Sequence, residues 1–125
     1  MKRDNAKFKV EFKKRLFSMT LKLIDFLDHI PKDLSSRRIA DQLMRSGTSI
    51  ISNYVEGLSA SSRRDFTNYL TISLKSCNES KLWLCILRDS QKVNSTEVNW
   101  FIKELNEISK ILASSIITLK GKRIL

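Results

Sequence analysis

The sequence predicts an all-α fold, an up-down-up-down antiparallel four-helix bundle, and three observations carry that reading. Apolar residues recur at three- and four-residue spacing in four separate stretches, the period of a helix with one packed face. Short breaks marked by Pro31, Gly57 and two capping-box-like starts separate the stretches. Only three Gly and one Pro occur in 125 residues, too few for the many turns of a sandwich or barrel. With 42% apolar residues, the chain has material for one core, so a single domain over residues 1–125 is expected.

The first helix is expected over roughly 6–30, with Phe8, Phe12, Leu16, Met19, Leu23, Phe26, Leu27 and Ile30 on the packed face. Pro31 stops it, because proline cannot extend the hydrogen-bond ladder. The second spans about 35–57 on Ile39, Leu43, Ile50 and Tyr54, with Ala40, Met44, Gly47, Ile51 and Val55 one step round. Gly57 is expected to end it as a left-handed cap. The third, about 62–90, opens on Ser62-Arg63-Arg64-Asp65, a Ser-x-x-acid capping box. Its stripe is Phe66, Tyr69, Leu70, Ser73, Cys77, Ser80, Leu84 and Leu87, and the small residues at its centre permit close approach of a neighbour. The fourth, about 95–120, opens on Asn94-Ser95-Thr96-Glu97 and repeats Val98, Phe101, Leu105, Ile108, Leu112 and Leu119, with Gly121 as its expected stop.

Two helices carry more apolar surface than one packed face requires. The first has a second line of Val10, Phe17, Leu21 and Ile24, and the third has Ile72, Trp83 and Ile86 away from its main stripe. A helix in a lone bundle is polar on its far side, so these seven residues are read as subunit contacts of a homo-oligomer.

The charge points to a polyanion. The formal net charge is +10, from 23 Lys and Arg against 13 Asp and Glu. An excess of that size on a small domain favours nucleic acid, with Lys and Arg contacting phosphates. The candidates are Lys2, Arg3, Lys7, Lys9, Lys13, Lys14, Arg37, Arg38, Arg63, Arg64, Lys120, Lys122 and Arg123. In an up-down bundle Arg37-Arg38 and Arg63-Arg64 begin helices that start at opposite ends, so the two pairs are not expected in one patch. No apolar run of 18 residues and no signal-like start occur, so a cytoplasmic protein without membrane contact is expected.

Signs of catalysis are nearly absent. His29 stands alone at the end of the first helix, where a cation suits the helix dipole. Cys77 and Cys85 lie eight residues apart on one helix, about 12 Å by the helical rise, too far for a disulfide. They lack CxxC metal spacing and read as small core residues. No phosphate-cradling glycine loop or nucleophile elbow is present. No catalytic residue, metal or cofactor is therefore expected. Arg45, Ser49, Asn53 and Glu56 make a polar stripe beside the apolar face. Its spacing favours a structural role over a ligand site, with Arg45 satisfying Glu56 or another partner.

The stretch Ile39–Gly57, with Gln42-Leu43, Arg45-Ser46, Thr48-Ser49-Ile50, Asn53 and Glu56-Gly57, carries a resemblance. So do Ser62, Asp65-Phe66, Leu70, Ile72-Ser73-Leu74-Lys75, Glu79 and Trp83-Leu84. Together they resemble the bacterial four-helix bundle proteins encoded in intervening sequences of 23S ribosomal RNA genes. The accessory variability protein of diversity-generating retroelements is a more distant member of that group. Ile51-Ser52 departs from the small residues common there, and Ser76-Cys77-Asn78 replaces a more charged stretch. The resemblance implies a bundle that assembles into a ring, commonly a pentamer, with a basic surface suited to nucleic acid and no catalytic residues. It also implies an alternative, a scaffold that docks a partner enzyme such as a retroelement reverse transcriptase.

Overall fold

The computed structural model describes the backbone of residues 2–124 and the side chains of residues 5–121. Four helices follow in order: α1 (Lys2–Asp28), α2 (Leu34–Leu58), α3 (Arg63–Asp89) and α4 (Ser95–Ile124). No strand occurs among the described residues, and the fold is an all-α four-helix bundle. Its core contains Phe12, Leu16, Leu23, Leu43, Ile50, Leu70, Leu84, Phe101, Leu105 and Leu112, all on the expected stripes.

The helix ends show which local signals were decisive. Ser62 Oγ accepts from the Asp65 backbone N–H at 3.1 Å, so the serine half of the expected capping box caps α3. Asn94 Oδ1 accepts from the N–H groups of Thr96 and Glu97 and starts α4 in the same way. Asp33 caps α2 through Ser36 N–H and is approached by Lys92 Nζ at 3.1 Å, a contact that ties the α1–α2 turn to the α3–α4 turn.

Two expected glycine stops are corrected. Gly57 lies inside α2, and no glycine has a positive φ. Its service is space: a Cβ there would stand 3.0 Å from both Phe66 Cδ1 and Tyr69 Cβ. Gly121 also lies inside its helix, which runs on to Ile124. The one left-handed residue among those described is Gln91, with φ 60°. Lys92 N–H bonds to Leu87 O and Gln91 N–H to Arg88 O, the paired closure of a Schellman turn at the end of α3.

Hydroxyls line the seam between α2 and α3. The Oγ atoms of Ser46 and Ser80 lie 2.8 Å apart, and Ser76 donates to Ser49 at 2.9 Å. Ser73 donates to the Ile50 carbonyl at 2.8 Å, so the backbone of one helix is within reach of a short side chain on the other. Gly47 does the same work towards α1, since a Cβ there would strike the buried Leu23 side chain. Phe8 departs from its expected place in the core: it is exposed near the end of the bundle, stacked on Phe12.

The α1–α4 seam has a different closure. Arg15 Nε and Nη2 each donate to a carboxylate oxygen of Glu104 at 2.8 Å, a two-point contact across the helices. Hydrogen bonding from Arg15 holds the Glu104 carboxyl below its ordinary pKa. A folded-state pKa below the unfolded value means the contact stabilises the protein above about pH 5 and is lost as acid protonates Glu104. Glu104→Gln is expected to cost about 1–2 kcal/mol at pH 7, the lower part of the range for charged hydrogen bonds because Arg15 is partly solvated. Thermal melts of both proteins from pH 7 to pH 3 check this: the gap narrows below about pH 4, and a gap unchanged across the series contradicts it.

Candidate nucleic-acid interface

Folding collects charges that are far apart in the chain. Lys9 Nζ sits over the Phe66 ring, 5.2 Å from its centroid, joining the start of α1 to the start of α3. Lys9, Gly57, Ser62, Arg63, Phe66 and Leu119 line one shallow groove, so the end of α4 meets them there. A neighbouring groove adds Asn5, Phe8, Ser115 and Thr118. The start of α1, the α2–α3 turn and the end of α4 thus share one end of the bundle.

That end is the more basic of the two. Its described segments, residues 5–14, 52–71 and 111–121, carry Lys7, Lys9, Lys13, Lys14, Arg63, Arg64 and Lys120. Against these seven cations stand three anions, Glu11, Glu56 and Asp65, leaving +4. The opposite end, residues 22–42 and 85–100, has six cations and six anions and is neutral. Arg37 and Arg38 stand there, beside Asp28 and Asp41, and so fall outside the basic patch. Lys92 and Arg88, at the same neutral end, pair with Asp33 and Asp89. None of the seven cations at the basic end enters an ion pair among the described residues. The candidate side chains Lys2, Arg3, Lys122 and Arg123 lie outside the described residues.

The polar stripe divides. Asn53 donates to Ser49 O and Oγ, and Ser76 extends that chain from α3. Arg45 does not reach Glu56: its Nη2 donates to Glu79 at 2.7 Å and to Gln42 at 3.0 Å. Its partner is thus Glu79 of α3, met at the surface: the Arg45 side chain is 64% exposed, and Glu56 is exposed as well. With about 3.6 residues per turn, Arg45 falls on the side of α2 away from the face that buries Leu43 and Ser46.

Of the surplus apolar residues, Val10, Phe17, Leu21, Ile72 and Ile86 are exposed. Ile24 and Trp83 are half-buried, Trp83 packing on the core while its Nε1 donates to Glu79. Leu82 joins the exposed set, and its spacing from Ile72 and Ile86 is the signal that reveals it.

Among the described residues no group of three or more His, Cys, Asp and Glu is placed to hold a metal ion. Cys77 is buried against Ser109 and the Leu105 carbonyl, and burial pushes its thiol pKa up, away from the reactive thiolate. Cys85 is half-buried. His29 is exposed and is held by the Asp25 carbonyl at 2.7 Å, which favours its protonated form. No helix among the described residues is long and apolar enough to cross a membrane.

A family model described as 23S rRNA-intervening sequence protein matches residues 9–114. The chain belongs to that family. Among solved structures it is similar to a crystal structure of a protein with unknown function from the S23 ribosomal protein family of Bacteroides thetaiotaomicron VPI-5482. The two are 30% identical with a TM-score of 0.77, over 84% of this chain and 97% of the other. No curated protein matches.

Proposed function

We propose that this member of the 23S rRNA-intervening sequence protein family is a non-enzymatic, cytoplasmic accessory protein that binds nucleic acid, RNA in first place. Phosphates are contacted by the end of the bundle that gathers Lys7, Lys9, Lys13, Lys14, Arg63, Arg64 and Lys120. The observation that carries the reading is the charge polarity, +4 at that end against zero at the other. The family's description names a 23S rRNA-intervening sequence, which fits an RNA setting.

The bundle in this reading is up-down-up-down and antiparallel, and assembles as a homo-oligomeric ring, a pentamer by resemblance. Partner order supports the topology: Ser46 with Ser80, Ser49 with Ser76 and Ser73 with Ile50 run in opposite directions along α2 and α3. Cyclic symmetry would repeat the basic end on one face of the ring.

The test is a titration of labelled structured RNA, single-stranded RNA and duplex DNA at low salt. Binding to at least structured RNA is expected. Failure to bind any of the three overturns the reading. It would put forward the scaffold alternative, docking of a partner enzyme such as a retroelement reverse transcriptase, for which the exposed apolar faces are the supporting observation.

A further inference from the structure

One large aromatic side chain stands in solvent away from the basic end. Trp100, near the start of α4, is 42% exposed. Its indole meets the Phe101 ring edge-on with centroids 5.1 Å apart, and Phe101 is buried against Phe26. A ring braced in this way is a fixed platform, so a ligand that stacks on it has little ordering to impose. Leu21, Lys22 and Asp25 of α1 face Glu97, Trp100 and Phe101 of α4 across a groove of about 390 Å³.

The groove is built for a cation. Lys22 Nζ lies 4.5 Å from the centroid of the Trp100 ring, so one face of the platform already holds an ammonium. Glu97 enters no ion pair among the described residues, and Asp25 is approached only by His29, at 3.7 Å. A hydrogen bond to the Asp25 carbonyl, with the charges of Asp25, Asp28 and Glu97 around the ring, holds the His29 pKa up, as a locally negative potential requires. One cation against two anions leaves the groove at −1 on a chain whose formal charge is +10.

These features select the occupant. Two carboxylates repel a phosphate, which disfavours nucleic acid here. A wholly apolar segment would cover the carboxylates without giving them a partner. A guanidinium meets every requirement: it lies flat on an indole while its N–H fork donates to a carboxylate, and it is more weakly hydrated than the ammonium it displaces. Lys22 is exposed, and its flexible stem lets it leave the ring. Leu21, 54% exposed beside the platform, offers a contact to an apolar neighbour of the arginine.

We propose that the α1–α4 groove at Trp100 docks a basic segment of a partner protein through an arginine flanked by apolar residues, with Lys22 covering the indole until the partner displaces it. This goes beyond the nucleic-acid reading and does not depend on it, since the basic end takes phosphates and this groove takes the opposite charge.

A dye-labelled peptide with Leu-Arg-Leu at its centre and Gly and Ser on either side tests the proposal, titrated with the full chain and read by fluorescence anisotropy. The wild type is expected to bind it and to lose the peptide in which citrulline, the neutral isostere, replaces arginine. Trp100→Ala is expected to weaken binding about fivefold or more, Trp100→Phe to weaken it less, and Glu97→Gln to weaken it as well. Lys22→Ala is the sharpest variant: it removes the resident competitor and a like charge, so it should bind the peptide more tightly than wild type. Lys22, Glu97 and Trp100 are all exposed, and circular dichroism checks that each variant is folded. Equal affinity for the arginine and citrulline peptides, no binding by wild type or Lys22→Ala, or weaker binding by Lys22→Ala overturns the proposal. So does an unchanged peptide affinity in Trp100→Ala. In that case an altered multimer size in light scattering assigns the groove to a contact between copies, and a lowered RNA affinity assigns it to nucleic acid.

Discussion

Leu43→Ala is expected to destabilise the protein by about 2–5 kcal/mol, while Arg45→Ala, two residues along the same helix, costs no more than about 1 kcal/mol. The contrast follows from where α2 points each side chain. Leu43 is fully buried in the core, so truncation removes apolar contacts and leaves a cavity that helices packed through Ser46, Gly47 and Ser80 close poorly. Arg45 is mostly solvated and shares Glu79 with the Trp83 indole, so the carboxylate retains a donor and water when the guanidinium is removed. Urea unfolding of the two variants beside the wild type reads the difference directly. A large loss at Arg45 would mean that its ion pair is shielded in a way its exposure contradicts.

Affinity for nucleic acid is expected to fall by roughly 10³–10⁵-fold between 50 and 200 mM salt if about 6–10 phosphates are neutralised. A single bundle end offers seven described cations, close to the lower bound, and the proposed ring would supply more by repeating that end. Binding of this kind positions the protein without reading bases, so structured and single-stranded RNA should show similar steep slopes. Base stacking adds little, because most of the ten aromatic residues serve the core, among them Phe12, Phe26, Tyr54 and Phe101. Binding titrations at four or more salt concentrations give the slope. A flat salt dependence contradicts a phosphate-based interface.

Much of the fold was legible because heptad-like stripes and short-range caps are local signals. Leu16, Leu43, Leu84 and Leu105 announce their faces within one helix, and Ser62 and Asn94 reach backbone N–H groups two or three residues away. The glycines misled, since Gly57 and Gly121 carry no mark that separates a stop from a helical position. Gln91, the residue that does turn left-handed, is of a type with no special freedom, and the Schellman hydrogen bonds that close α3 hold it there. The Arg15–Glu104 contact spans 89 residues, yet each partner directly precedes a core leucine, Leu16 or Leu105, the flanking position where interhelical ion pairs form. The basic end was the least legible feature. Summing charge along the chain gives an excess in the first and last quarters. Only when folding brings the α2–α3 turn beside the start of α1 and the end of α4 do Arg63 and Arg64 join Lys9 and Lys120, while Asp28 and Asp41 offset Arg37 and Arg38 at the other end.

The measurement closest to the central claim compares charge reversal at the two ends. Arg63→Glu with Arg64→Glu alters the basic end, and Arg37→Glu with Arg38→Glu makes the same formal change at the neutral end. Both pairs lie near the starts of their helices and are exposed, so both variants are expected to fold. Titrated against the same structured RNA across a salt series, the Arg63/Arg64 variant should bind more weakly than wild type at every salt, with a slope reduced by about two. The Arg37/Arg38 variant should stay close to wild type. Equal weakening by the two variants, or a loss confined to Arg37/Arg38, contradicts an interface at the end of the bundle where α1 begins and α4 finishes.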